Sequence, residues 1–160
     1  MLSDDHLVAQ PGMVAEHLAS AFARVSNGRN DSPTFLHHKN ADLARPLIFT
    51  SRTREAYNEA FTLDELRSAL TACKETAPGP DDIPYAFLRH LGAAGLDRLR
   101  LLFNRIWSSG IFPSAWRIAT ILPFKKPGKN GSDPNNYRPI ALTSCLCKLM
   151  EKMVNLRLVW

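Results

Sequence analysis

The chain has 160 residues, 45% of them hydrophobic and 22% charged, a composition that excludes wholesale disorder and leaves room for one ordinary domain, or one domain with a tail. Its formal net charge is +5, but residues 1–114 carry 12 Lys/Arg against 13 Asp/Glu while residues 115–160 carry 8 against 2. All of the surplus positive charge lies near the C-terminal end, which points to nucleic acid, nucleotide or an acidic membrane surface as partner.

In chain order, Met13, Val14, His17, Leu18, Ala21, Phe22 and Val25 recur at helical spacing and predict an amphipathic helix over 12–25. Residues 26–60 show no sustained period and read as a polar connector with short pieces of structure. His37 and His38 stand there with no partner at helical spacing, so a solvated loop is expected rather than a metal site. "FTLDELRSAL" opens with a T-x-x-E capping box, Thr62 and Glu65, with Phe61 and Leu66 placed for a hydrophobic staple, and predicts a helix over 63–74. "TAPGPDDIP" forbids regular structure until Pro84 can open a helix over 84–91 that Gly92 stops. Leu96, Leu99, Leu102, Phe103, Ile106 and Trp107 mark a helix over 94–108, ended by Gly110.

After "PSAW" the period changes. "RIATILPF" (117–124) has apolar residues on both faces and predicts a buried strand; "YRPIAL" predicts a second, shorter one, the two forming a hairpin with a long tip. Thr143 or Ser144 then caps a last helix with the stripe Leu146, Leu149, Met150, Met153, Val154 and Leu158. That helix runs into "LVW" with no stop signal, and an apolar stripe ending on Trp160 is expected of a chain cut before the surface it packs on. The three cysteines suggest no disulfide framework. Cys145 and Cys147 lack a downstream Cys/His pair and are expected as buried thiols at a helix start, not zinc ligands. No signal peptide opens the chain, and its longest uncharged run, "IWSSGIFPSAW", is too short and too broken to span a bilayer. An intracellular protein is expected.

Several stretches carry chemistry-like patterns. "PGKNGS" lacks the G-x-x-x-x-G-K-(S/T) spacing and leads into a turn rather than a helix, so it is not a phosphate loop. Asp81 and Asp82 are neighbours that point apart in an extended chain, which favours capping and turn chemistry over a metal pair. Trp116 and Tyr137 could stack bases, but core roles are the more ordinary expectation. "FKKPGKNGSDPNNYRPIAL" (124–142) concentrates basic side chains in a turn-rich hairpin. Composition alone favours a solvated hairpin there; the alternative is a hand on phosphates.

Three blocks, in this order, bear on that choice: "FTLDELRSALTACKETAPGPDDIPYAFLRHL" with its A-P-G-P-D core, "FPSAWRIATILPFKKPGK", and "NNYRPIALTSCLCKLMEKMVNLRL". Together, over about residues 61–158, they resemble the start of the reverse transcriptase of non-LTR retrotransposons, most closely the jockey-like elements of arthropods. The resemblance implies an α+β, mostly helical fold: N-terminal helices, then a β-hairpin and helix of a fingers subdomain, part of an incomplete right-hand polymerase. It divides the chain into a linker or N-terminal extension with one helix (1–60) and a partial reverse transcriptase domain (61–160). Carried over by motif, Arg138, Lys126 and Lys125 are expected to contact the triphosphate of a deoxynucleoside triphosphate, as charge-assisted donors do. Arg117 and Lys129 are expected on nucleic-acid backbone.

The same resemblance implies an RNA template, a DNA primer and the palm and thumb of the polymerase as partners, no membrane, and action in nucleus and cytoplasm. Mg2+ is implied for the complete enzyme only. The family's catalytic aspartates belong to motifs absent from 1–160, so this chain is expected to bind no metal and to be inactive alone. The alternatives are a non-catalytic basic nucleic-acid-binding module or a non-functional remnant.

Overall fold

The structure is a computed structural model that describes residues 2–3, 6–7, 10–45 and 55–159. It is mostly helical with small two-stranded sheets, an α+β arrangement. Its contacts divide it into two compact units, 53–122 with 141–160, and 1–52 with 123–140.

The unit 53–122/141–160 holds the main core. Helix α3 (Leu63–Ala72) begins as its residues dictate: Thr62 Oγ1 accepts from the Glu65 N–H at 3.2 Å, and Glu65 Oε2 accepts from the Thr62 N–H at 2.7 Å. The staple residues Phe61 and Leu66 are both fully buried. Helix α4 (Tyr85–Arg89) is shorter than expected, with Pro84 as its N-cap. Helix α5 (Ala93–Ser109) ends at Gly110, whose φ of 66° is left-handed backbone that a glycine adopts without penalty. Helix α6 (Cys145–Leu158) is capped by Ser144, which accepts from the Leu146 N–H. Its buried face comprises Cys145, Cys147, Leu149, Met150 and Met153, so the two thiols are core residues at a helix start. Burial, with Glu151 beside it, pushes the Cys147 thiol up to about 11.

Two polar devices bind distant segments of this unit. The Asn104 side-chain amide accepts from the Phe61 N–H at 2.6 Å and donates to the Phe61 carbonyl at 3.0 Å. Arg157 donates from Nε and a terminal nitrogen to the two Glu65 carboxylate oxygens at 2.7 and 2.9 Å, and to the carbonyls of Tyr57, Glu59 and Ala60. Its guanidinium also lies 4.2 Å from the Phe61 ring centroid. The "APGPD" loop docks onto the start of α6. A Cβ at Gly79 would fall 2.5 Å from the Ser144 nitrogen, so only glycine permits this approach. Ser144 Oγ donates to Asp81 Oδ2 at 2.5 Å, while Asp81 Oδ1 accepts from the Ile83 N–H. Asp81 therefore does turn chemistry, as its setting predicts.

In the other unit, β1 (Leu2–Ser3) and β2 (His6–Leu7) form a short antiparallel pair. Helix α1 (Pro11–Val25) buries Leu18 and Ala21, in keeping with the predicted stripe. The expectation of a connector with one helix before residue 60 needs correcting. Helix α2 (Pro33–Leu43) follows α1, started by Ser32, which accepts from the Phe35 N–H at 3.2 Å, with Pro33 in its first turn. His37 and His38 sit on this helix, not in a loop. It buries no residue, so the apolar period that reveals most helices is missing from its sequence. Residues 46–54 and Trp160 lie outside the described residues.

The hairpin consists of β3 (Thr120–Lys125) and β4 (Tyr137–Leu142), which pair with each other. The expected buried strand over 117–124 is corrected in two respects. Residues 114–117 form a 3-10 turn, in which Trp116 is buried against Phe103 and Phe112. The strand itself is exposed at every position, because a two-stranded ribbon has no neighbouring strand or second sheet to cover its apolar faces.

Candidate nucleotide and nucleic-acid interface

The tip of the hairpin is built by short-range polar chemistry. Asp133 caps the 3-10 turn Pro134–Asn136 by accepting from the Asn135 N–H at 2.9 Å. The Lys126 N–H donates to the Asn136 carbonyl at 2.8 Å, and the Lys129 N–H donates to the Lys126 carbonyl at 3.2 Å. Tyr137 sends its hydroxyl to the Gly131 carbonyl at 3.0 Å. Trp116 is core, as expected; Tyr137 is instead a half-buried brace for the tip.

Strand alternation distributes the basic residues. Tyr137 and Pro139 share one face of β4 and, with Lys126, Pro134 and Asn135, line a cavity of about 160 Å³ against Ala21, Phe22 and Val25 of α1 and Ser26, its C-cap. Arg138, between them in sequence, lies on the opposite face. It is exposed, and its guanidinium has no hydrogen bond or ion pair among the described residues. Lys126 is half-buried and donates its ammonium to the Asn135 carbonyl at 2.8 Å. Lys125 and Lys129 are exposed, and their ammonium groups have no partner among the described residues. Arg117 donates to the Phe112 carbonyl at 3.1 Å.

The three residues expected at a triphosphate therefore differ in their surroundings. Arg138 is a free guanidinium on one face, Lys125 points to the other by alternation, and Lys126 is engaged within the tip. Sequence reasoning passed over Phe124, an aromatic left 51% exposed beside them. Counting alternation back from the hairpin tip was the signal that could have found it.

The described residues do not fit a catalytic magnesium ion. No group of three or more His, Cys, Asp or Glu among them could hold a metal, and both Asp81 oxygens are already engaged. No helix among the described residues is long and apolar enough to cross a membrane.

A basic hairpin with a free arginine on an exposed face has the chemistry to meet a polyanion. The chain is homologous to the RNA-directed DNA polymerases of jockey and other non-LTR retrotransposons, at 30–40% identity over about 60% of its length. It is 36% identical over 101 residues to the RNA-directed DNA polymerase from mobile element jockey of Drosophila melanogaster, covering 62% of this chain and 11% of that protein. To the probable RNA-directed DNA polymerase from transposon BS of the same fly it is 40% identical over 82 residues, 51% of this chain and 9% of the relative. The probable polymerase from transposon X-element is 30% identical over 117 residues, 67% and 13% respectively. The chain spans about a tenth of the length of these curated relatives. No protein-family model matches it.

Proposed function

We propose that this chain is the fingers-side portion of a non-LTR retrotransposon reverse transcriptase, and that its hairpin grips the triphosphate of an incoming deoxynucleotide through Arg138. The observation that carries this reading is the free, exposed guanidinium at the position the "YRPI" motif marks. Arginine suits the task because its planar fork gives paired, charge-assisted bonds to phosphate oxygens. Lys125 adds point charge near the tip. Lys126 contributes in so far as its ammonium leaves the Asn135 carbonyl for a phosphate. Arg117 and Lys129 add sequence-independent contacts to the RNA template or DNA primer backbone. Magnesium, and the carboxylates that hold it, belong to the palm of the complete polymerase, so this portion binds and positions but does not polymerise.

The test is titration of the 160-residue chain with inorganic tripolyphosphate, which offers the phosphates without a base. Arg138→Ala should weaken binding about tenfold or more, the scale of lost charge-assisted hydrogen bonds, and Arg138→Lys should restore only part of it. Unchanged affinity in Arg138→Ala would remove Arg138 from the site.

A further inference from the structure

The face of the hairpin that bears Arg138 has a second occupant. The Lys126 N–H to Asn136 carbonyl bond, with strands of six residues each, sets a register that places Phe124 directly across from Arg138. Side chains so paired start about 5 Å apart. Phe124 is 51% exposed, and neither side chain has an aromatic, hydrogen-bonding or ionic partner among the described residues. Tyr137 and Pro139 line the α1 cavity, so α1 approaches the face that Phe124 and Arg138 do not share only at its tip end, and the rest of that face stays exposed. No acidic side chain alternates onto their face along either strand; the six positions are Thr120, Leu122, Phe124, Arg138, Ile140 and Leu142.

A ligand that satisfies this pair needs a flat, π-rich part for the ring and an anion, a few ångströms away, for the guanidinium. A nucleotide has both: bases stack on exposed aromatic side chains whatever their identity, and phosphates pair with arginine. We infer that Phe124 is a stacking platform for the base of the nucleoside triphosphate whose phosphates Arg138 holds, so that the two residues act as one nucleotide-binding pair. This rests on the reading of Arg138 given above.

The test compares a deoxynucleoside triphosphate with inorganic tripolyphosphate on the full 160-residue chain and three variants, each verified as folded by circular dichroism. Phe124→Leu should weaken deoxynucleoside triphosphate binding about tenfold, the lower range of base–aromatic stacking, and leave tripolyphosphate binding unchanged. Phe124→Trp, which keeps a ring, should bind both ligands as the native chain does. Arg138→Ala should lose affinity for both; if it loses neither, the triphosphate reading falls, independently of Phe124. Equal losses on both ligands in Phe124→Leu, or none on either, would overturn the stacking role. A third arm uses oligouridylate and an abasic strand of the same length. Dependence on Phe124 for the base-bearing strand, without any for the deoxynucleoside triphosphate, would overturn the proposal in favour of a template contact.

Discussion

Removing Arg157 should unfasten the segment before α3 from the end of α6. Its side chain is only 12% exposed and joins Glu65, three backbone carbonyls and the Phe61 ring. Hydrogen bonds from Arg157, the largest cause, and from Thr62 hold the Glu65 carboxyl at about 2, against an ordinary value of 4.5. The whole difference corresponds to about 3–4 kcal/mol of stability, of which Arg157 supplies the larger part. Because 35% of the Glu65 side chain remains in contact with solvent, screening reduces it to about 2 kcal/mol. The orphaned carbonyls add about 1 kcal/mol more. Arg157→Ala should therefore cost about 2–3 kcal/mol in urea unfolding at pH 7, followed by circular dichroism. Arg157→Lys should recover little, since a point charge cannot reproduce the fork. The pH dependence follows from the depressed carboxyl. Its contribution is complete above the unfolded value near 4.5 and is lost as pH falls through the folded value of about 2. The gap between native chain and variant should therefore narrow between pH 6 and pH 2.5. A loss below about 0.5 kcal/mol, the scale of a surface pair, or a gap that stays constant with pH, would refute the reasoning.

Gly79→Ala drives a methyl group into the Ser144 backbone and should cost about 3 kcal/mol or more in a thermal melt, since neither backbone can yield cheaply. Ser144→Ala removes both the α6 cap and the bond to Asp81 and should cost about 1–2 kcal/mol; an unchanged melting temperature would show that water replaces both. Gly110→Ala should cost about 1 kcal/mol for its left-handed φ alone, because nothing lies within 4 Å of the added Cβ. At pH 8 a thiol reagent should modify Cys73 quickly and Cys147 only on unfolding, since the Cys147 thiol is buried and pushed up to about 11. Rapid labelling of more than one thiol in the folded chain would contradict that burial.

What the sequence disclosed was local. The capping box at Thr62 and Glu65, the glycine stop at Gly110, the Ser144 cap and the span of β4 all depend on residues within one turn or one strand, and each stands where the pattern puts it. Helix α2 escaped because its signals, Ser32 and Pro33, come without a buried stripe. Asn104 and Arg157 escaped for a different reason: their partners are 43 and 92 positions away, and no period or spacing encodes a hydrogen bond across that distance. The hairpin combines both cases. Alternation divides its side chains into two sets but cannot say which set lies toward a helix, because α1, which lines the cavity at Tyr137 and Pro139, comes from the far end of the sequence. Nor does "KKPG" reveal that Lys126 turns back to the Asn135 carbonyl, since the tip geometry decides whether that ammonium faces the chain or the solvent. A motif match treats Arg138, Lys126 and Lys125 as equivalent cations. Packing distinguishes them, leaving Arg138 with an open face and an exposed ring across the ladder, and it is this difference that turns a count of charges into a prediction about one nucleotide.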